Sequence, residues 1–532
     1  MSFEKSPRRD FLRLAGTGLA VGAWQAQPGE SQTQPAPLVS GTCDVKRYGA
    51  TGDGNSIDTP SINRAIEAAA ASGGGIVRFP AGSYLCYSIR LKSNISLCLD
   101  QNAVILAADS PPTGSGAYDE AEANTPWNEY QDYGHNHWHN SLIWGEGLEN
   151  ISILGPGLIW GRGLSKGYGP GPVAEQSGVA NKAISLKNCH NVILRDFSIL
   201  KGGHFGILAT GVDNLTIDNL KIDTDRDGMD LDCCRNVRVS NCTVNSPWDD
   251  AICPKSSFAL GYARATENVT ITNCYVTGIY QLGSVLDGTF QRFPSGLQGS
   301  HTGRIKFGTE SNGGFRNITI SNCVFEGCQG LALETVDGAV LEDIAITNIT
   351  MRDITSAPIF LRLGSRMRGP KDAPVGSLRR ILISNVVCSN SDPRFGSILS
   401  GIPQHPIEDI KLSDLYIEHQ GGASREASEI QPPELATSYP EPKMFGPMPS
   451  QGFFIRHARN IEISNVEISA LKEDARPAFV LDDVQDSRFF RIRARRTPDT
   501  PLFVLNNVED FEVHLSKPAP DTQLDRVDHK KL

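Results

Sequence analysis

One strand-length motif recurs down this chain and limits what it can fold into. The copies read "HNVILRDFSI", "DNLTIDNLKI", "RNVRVSNCTV", "ENVTITNCYV", "RNITISNCVF", "EDIAITNITM", "RRILISNVVC", "EDIKLSDLYI" and "RNIEISNVEI". Each alternates apolar and polar residues, the period-two mark of a strand with one buried face. Asn191, Asn214 and Asn236 open three consecutive copies, spaced 23 and 22 residues apart. Later copies open at Asn268, Asn317, Asp343, Arg380, Asp409 and Asn460, with wider gaps. A unit this short cannot bury its apolar face alone, so successive copies must stack. The expected fold is all-β: a single-stranded right-handed parallel β-helix with loops of variable length. A β-propeller would show a period nearer 40 residues, and none is present. Equivalent asparagines are expected to hydrogen-bond along a buried ladder. The sequons at Asn268, Asn317 and Asn348 are read as members of that ladder.

The ends and gaps set the domain plan. Thr59 to Ala71, after "GDG", reads as a helix capping the N-terminal end of the coil. Gaps in the repeat mark insertions at roughly 108–140, 164–180, 279–302 and 420–453. The last is rich in proline (Pro432, Pro433, Pro440, Pro442, Pro447, Pro449) and should lack regular strand. One β-helix domain is therefore expected over 41–516, with a polar, loose tail over 517–532. Before it, "SPRRDFLRLAGTGLAVGAW" places Arg8 and Arg9 ahead of a short apolar run, similar to a twin-arginine signal peptide. A flexible leader follows, to about residue 40. The apolar run is too short for a stable membrane span, and no later segment is apolar enough for one. The expected destination is periplasmic or extracellular.

Net charge is −10, so a basic footprint for nucleic acid is absent. Cys242, Cys274 and Cys323 occupy one place in the repeat, which reads as a stack of buried thiols rather than disulfides. No cofactor is expected, and the chain is expected to work as a monomer.

The chemistry concentrates in "NSPWDDAICPKSS", Asn245 to Ser257. Adjacent Asp249 and Asp250 repel each other unless something uses them. Asp227 precedes Asp249 by 22 residues, one basic turn, so the two should stack about 5 Å apart. A bend at 249–250 would let both carboxyls point outward. Three clustered carboxylates cannot all ionise cheaply, so at least one pKa should rise. A protonated carboxyl beside an ionised one is what glycoside hydrolysis requires. The competing reading is a calcium or structural acidic cluster, because "DTDRDGMD" echoes a calcium loop. Counted from Asp225, however, the twelfth position is Asn236, not a bidentate Glu.

From about Asp44 to Val513 the chain resembles glycoside hydrolase family 28, the polygalacturonase family. The resemblance is carried by "VKRYGATGDG", "LIWGEGLENISILGPGLIWGRG" and the aspartate motifs. The family's "NTDG" becomes Asp225-Arg226-Asp227-Gly228. Its "DD", apolar pair and "KS" become Asp249 to Ser256. The resemblance implies an inverting hydrolase in which Asp249 is the general acid, while Asp227 and Asp250 hold and activate the attacking water. In the family a "GHG" histidine tunes the acid. Here Ser300-His301-Thr302-Gly303 offers His301, which can fall one residue out of register. The family's "RIK" one turn further is replaced by "GLALET", with Ala332 and Glu334 in place of the two cations that hold a substrate carboxylate. A literal Arg304-Ile305-Lys306 stands one turn earlier. Either Arg304 and Lys306 serve an anionic group from there, or they solvate an outer face and the sugar is neutral.

Further residues are candidates for contact with a polysaccharide or oligosaccharide. In "YQDYGHNHWHNSL", Tyr133 and Trp138 could stack on sugar rings, and His135 and His137 could bond hydroxyls. On a strand, His135, His137 and His139 would face one way, but no partner follows at ligand spacing, so no metal is expected. His204, Trp248, Lys255 and Glu334 complete the set. Ordinary packing is the competing reading for each. The long insertions favour exo action on a pectic polymer. Two other functions stay open: a pectate-type lyase, and a carbohydrate-binding β-helix without catalysis.

Overall fold

The computed structural model describes residues 41–110, 117–132, 134–167, 176–281, 284–294, 301–495 and 498–532. The signal-like segment and Tyr133 lie outside the described residues. From Gly41 onward the chain is one unit, a right-handed parallel β-helix.

The motif copies stack in register. Leu215 lies between Val192 and Val237, and Ile217 between Leu194 and Val239. All six face the core, together with Ile271, Ile320, Ile346, Ile383, Leu412 and Ile463 of later copies. Each fully buried aliphatic side chain contributes about 1.5–3 kcal/mol. Further on, Phe453, Phe479 and Phe503 stack at 5.3 and 5.1 Å between ring centres.

The asparagines do form a ladder, but at an exposed corner rather than inside the coil. Asn191, Asn214 and Asn236 have φ of 57, 56 and 56°, the left-handed region that asparagine tolerates better than most residues. Asn214 Nδ2 donates to Asn191 Oδ1 (2.8 Å), and Asn191 Nδ2 to Asn150 Oδ1 (2.9 Å). The residue type thus serves both the bend and the bond. Asn241, Asn273 and Asn322 make a second left-handed corner. After it Cys242, Cys274 and Cys323 turn inward, and each thiol donates to a carbonyl two residues back. All twelve cysteines are free.

The helix Thr59–Ala71 forms where expected, burying Ile62, Ala65, Ile66 and Ala69 at helical spacing against the first coil. The insertion at 420–453 holds only two 3-10 turns, Arg425–Glu429 and Pro442–Phe445. The tail departs from expectation. Thr522–Lys531 is a strand, antiparallel to Phe503–His514, with Val527 opposite Val508. Its polar composition suits a strand that covers the last coil with one face to solvent.

A six-stranded parallel sheet forms the wall that positions the site. In spatial order it runs Ile89–Arg90, Ile143–Glu146, Lys182–Lys187, Phe205–Thr210, Asp227–Asp232, Ile252–Lys255. A bridge from Ile252 to Ile305 carries the wall on to Lys306–Phe307, Leu331–Thr335 and Ile359–Leu363.

Candidate active site

Register decides how the aspartates meet. Phe205 pairs with Asp227, a step of 22, but Met229 pairs with Ile252, a step of 23. The extra residue sits in the turn before Ile252. Gly228 N donates to Asp250 O (2.9 Å) and Trp248 N to Asp225 O (3.0 Å). Asp250, not Asp249, therefore stands opposite Asp227. The added residue frees both carboxyls from strict alternation. Gly228 is required here, because a Cβ on it would come within 2.5 Å of Ala251 O. The turn is pinned by Ser246 Oγ, which donates to the carbonyls of Arg226 (2.5 Å) and Asp249 (3.0 Å). One oxygen from each of Asp227, Asp249 and Asp250 falls within 4.8 Å of the others.

The three carboxyls differ in surroundings. Asp250 is buried, with Oδ1 2.9 Å from Arg304 Nε and Oδ2 3.5 Å from Lys306 Nζ. Burial works to raise its pKa, but Lys306 and Arg304 outweigh it and hold the group below the usual carboxylate range. Asp249 is more open, its side chain 22% exposed, and it pairs with Arg226 at 2.7 Å. Burial lifts its carboxyl; Arg226 opposes the lift, and the charge of Asp250 adds to it. Asp227 is buried, with no partner for Oδ1 among the described residues. Burial, then Asp230 and Asp249, pushes it well above the ordinary value. The cluster thus sets one carboxyl with a lowered pKa, Asp250, beside two with raised ones, Asp249 and Asp227.

Arg226 is held from behind. His204 Nδ1 donates to the Lys166 carbonyl (2.9 Å), leaving Nε2 to face Arg226 Nη2 at 3.4 Å. Burial, reinforced by Arg226, keeps His204 neutral, its pKa well below the usual histidine value. His204 therefore lies near the site but reaches Asp249 only through Arg226.

The remaining candidates divide. Trp248 is 39% exposed. His301 lies 5.3 Å from it ring to ring and stacks on Phe293 at 4.5 Å. The Ile252–Ile305 bridge places His301 opposite Trp248, one residue short of Asp249, and its Nδ1 has no partner among the described residues. It joins an aromatic edge rather than the carboxyls. His135, His137 and His139 lie in irregular chain, not on a strand, and they do not face one way: their partners are Asp230, Asn124 and Glu146. His135 pairs with Asp230 (3.0 Å), and His137 Nε2 meets Asn124 Oδ1 (3.1 Å). Trp138 is buried and donates to Thr210 Oγ1 (3.0 Å), so it presents no stacking face to a sugar. Lys255 is likewise buried, 3.5 Å from Asp230 and 3.3 Å from Glu310, so it anchors the wall rather than reaching outward.

Arg304 and Lys306 share a face as alternation predicts, but that face is not solvated; their side chains are only 1% and 3% exposed. They are surrounded by acids. Arg304 Nη2 is 2.7 Å from Glu441, and Lys306 is 3.7 Å from Glu334 and 3.8 Å from Glu441. Burial raises the Glu334 carboxyl to about 8, against Lys306 and Arg304. Two groups of possible metal donors, His135-Asp227-Asp230 and Glu122-His139-Glu146, each already hold a lysine close by: Lys255 at 3.5 Å from Asp230 and Lys187 at 2.9 Å from Glu146.

Sequence reasoning overlooked Arg226, Glu441 and Tyr439. Arg226 was in view, since it replaces a residue inside the aspartate motif. Glu441 and Tyr439 belong to the proline-rich insertion, which has no repeat to phase them. A cleft of about 740 Å3 is lined by His301, Gln329, Thr355, Phe395, Glu441 and Lys443 among others. The three aspartates are not in its wall; Glu441 links it to Asp250 through Arg304.

Known proteins share this architecture. The family described as rhamnogalacturonase A/epimerase, pectate lyase-like, matches residues 42–280. The chain is 23% identical to a Vitis vinifera protein named "Probable polygalacturonase" over 437 residues, 76% of this chain and 80% of that one. The family 28 exopolygalacturonase of Yersinia enterocolitica superposes with a TM-score of 0.61 at 18% identity, over 86% of this chain and 79% of that one. What they share is the parallel β-helix. PfbA, a surface adhesin of Streptococcus pneumoniae, superposes with a TM-score of 0.51 at 18% identity, over 88% of this chain and 92% of that one. The fold alone therefore does not decide between catalysis and binding. Among the described residues no helix is long and apolar enough to cross a membrane.

Proposed function

We propose that this chain is an exported glycoside hydrolase of the polygalacturonase family, cleaving a pectic or related polysaccharide from chain ends with inversion. The observation that carries the reading is the meeting of three carboxyls within 4.8 Å, in surroundings that shift their pKa values in opposite directions. Asp249, the more open of the three and with a raised pKa, gives a proton to the leaving glycosidic oxygen as the C–O bond breaks. Asp250, ionised, takes a proton from the water that attacks the anomeric carbon. Two oxygens bound to one water at about 2.8 Å each lie roughly 4.5 Å apart. Asp227 and Asp250, with oxygens within 4.8 Å, suit one shared water. Each proton transfer is worth about 10²–10⁴ in rate. Trp248, 39% exposed, offers a ring face beside the acid.

Insertions meet the site on both flanks, which fits action at a chain end. Lys166 pairs with Asp225 on one side, and Glu441 with Arg304 on the other. A lyase would need an unprotonated Lys or Arg to abstract a proton. Burial works against the charge on Lys255, Arg304 and Lys306, but their acid partners win and hold all three pKa values well above the ordinary ones. That removes these three as the base of a lyase. A sugar-binding coil without catalysis gains nothing from three repelling acids.

The test is turnover on pectic fragments that include polygalacturonate, rhamnogalacturonan and neutral-capped oligosaccharides. Wild type should release a terminal sugar and Asp249→Asn should not. Equal turnover by the two proteins removes Asp249 from the mechanism. For export, fusing residues 1–40 to a folded reporter should carry it across the inner membrane, and Arg8→Lys with Arg9→Lys should stop it; unaffected transport refutes the twin-arginine reading.

A further inference from the structure

The cations around the aspartates are engaged by the protein's own acids. Arg226 pairs with Asp249, and Lys255 with Asp230 and Glu310. Arg304 bridges Asp250 and Glu441, and Lys306 lies within 3.8 Å of Asp250, Glu334 and Glu441. Of these acids, Glu441 alone comes from an insertion rather than the coil. It stands in the cleft wall, separated from Asp250 by the Arg304 guanidinium.

Its placement is built, not incidental. Tyr439, two residues earlier, accepts a hydrogen bond from Lys306 Nζ through its hydroxyl (3.3 Å) and lays its ring 5.2 Å from that cation. Pro442 opens the 3-10 turn that follows. Phe445 at its end is buried with Met448 among Ala332, Phe360, Ile398 and Phe454. Ala332 lies directly beside Lys306 in the sheet. The apolar cluster thus pins the insertion one coil from the cations it neutralises.

We infer that Glu441 is a specificity residue: its carboxylate fills the Arg304–Lys306 cation pair from within the chain, so the sugar set against Asp249 is a neutral one, either uncharged or an esterified uronate. A free uronate would bring a second negative charge to cations already matched by Asp250 and Glu441, beside acids that repel it. The inference rests on the hydrolase reading of this site and names the charge of its substrate.

The test compares digalacturonate with its methyl ester, which differ in charge more than in shape. Calorimetric titration uses the full chain as Asp249→Asn, which should not turn substrate over, with and without Glu441→Gln. The inference expects the ester to bind at least tenfold tighter than the acid. It expects Glu441→Gln to raise affinity for the acid at least tenfold, leaving the ester within about threefold. Should Glu441→Gln not fold, Glu441→Asp withdraws the carboxylate by one methylene and should give a smaller gain of the same sign. Equal or tighter binding of the acid by Asp249→Asn, unchanged acid affinity in Glu441→Gln, or no binding of either sugar overturns the inference. Wild-type turnover is measured separately. Hydrolysis of the free acid overturns the inference and spares the hydrolase reading; charge-selective binding without any turnover does the reverse.

Discussion

The corner ladder and the aspartate wall are made by the same stacking, yet they handle polar side chains in opposite ways. At the corner each amide carries a donor and an acceptor, so Asn214 bonds Asn191 and Asn191 bonds Asn150 with nothing else required. Ionised carboxylates only accept, so Asp227 and Asp250 cannot satisfy one another while both are charged. The wall answers in two ways. It brings cations, as Arg304 and Lys306 do for Asp250, or it keeps a proton, as Glu334 does at neutral pH. A repeat can therefore build its corners from one residue type, while its wall needs partners from other coils and from insertions.

The largest effect that separates the two regions is Asp249→Asn. Activity should fall about 10²–10⁴-fold. Denaturation should be little changed, because the substitution removes repulsion as well as the Arg226 pair; a large loss of stability would make Asp249 structural.

Glu334→Gln comes next, read as stability. The carboxyl is raised from 4.5 to about 8 in the folded chain. Between those values the folded state holds a proton that the unfolded state has released, so wild-type stability falls as pH rises through this window. The glutamine variant should lose that part of the slope, matching wild type near pH 4 and exceeding it by on the order of 2–4 kcal/mol near pH 8. Parallel urea curves for the two proteins at pH 5 and pH 8 would refute a proton held on Glu334.

Arg226→Gln should act on the pH profile of kcat. Arg226 opposes the rise of the Asp249 carboxyl, so its loss should move the alkaline limb to higher pH, by about one unit. An unmoved limb would detach Arg226 from the acid. The smallest effect is expected at the corner. Asn214→Gly keeps the left-handed φ and removes one ladder bond, at a cost of about 0.5–1.5 kcal/mol with kcat unchanged.

What could be read from sequence follows the same division. Alternation, the capping helix and the meeting of the three aspartates are local or periodic, so the chain displays them. The pairing of Asp227 with Asp250 rather than Asp249 turns on one added residue, which a 22-residue ruler cannot see. His301 comes beside Trp248 across a separate step of 53 residues, from Ile252 to Ile305, which contains an insertion. His135, His137 and His139 alternate in sequence, but the backbone there does not extend as a strand. The contact between Arg304 and Glu441 spans 137 residues and obeys no period, so only the folded chain reveals that the cations are occupied. The terminal strand Thr522–Lys531 escaped notice because both its faces carry charge.

The central claim is a single displacement, with Asp249 as acid and one water held between Asp227 and Asp250. Proton NMR of the sugar first released, taken before mutarotation, tests it most directly. The account predicts an anomer inverted from the substrate linkage. A retained anomer would mean a covalent sugar on one aspartate, and an unsaturated product would mean elimination; either would contradict it.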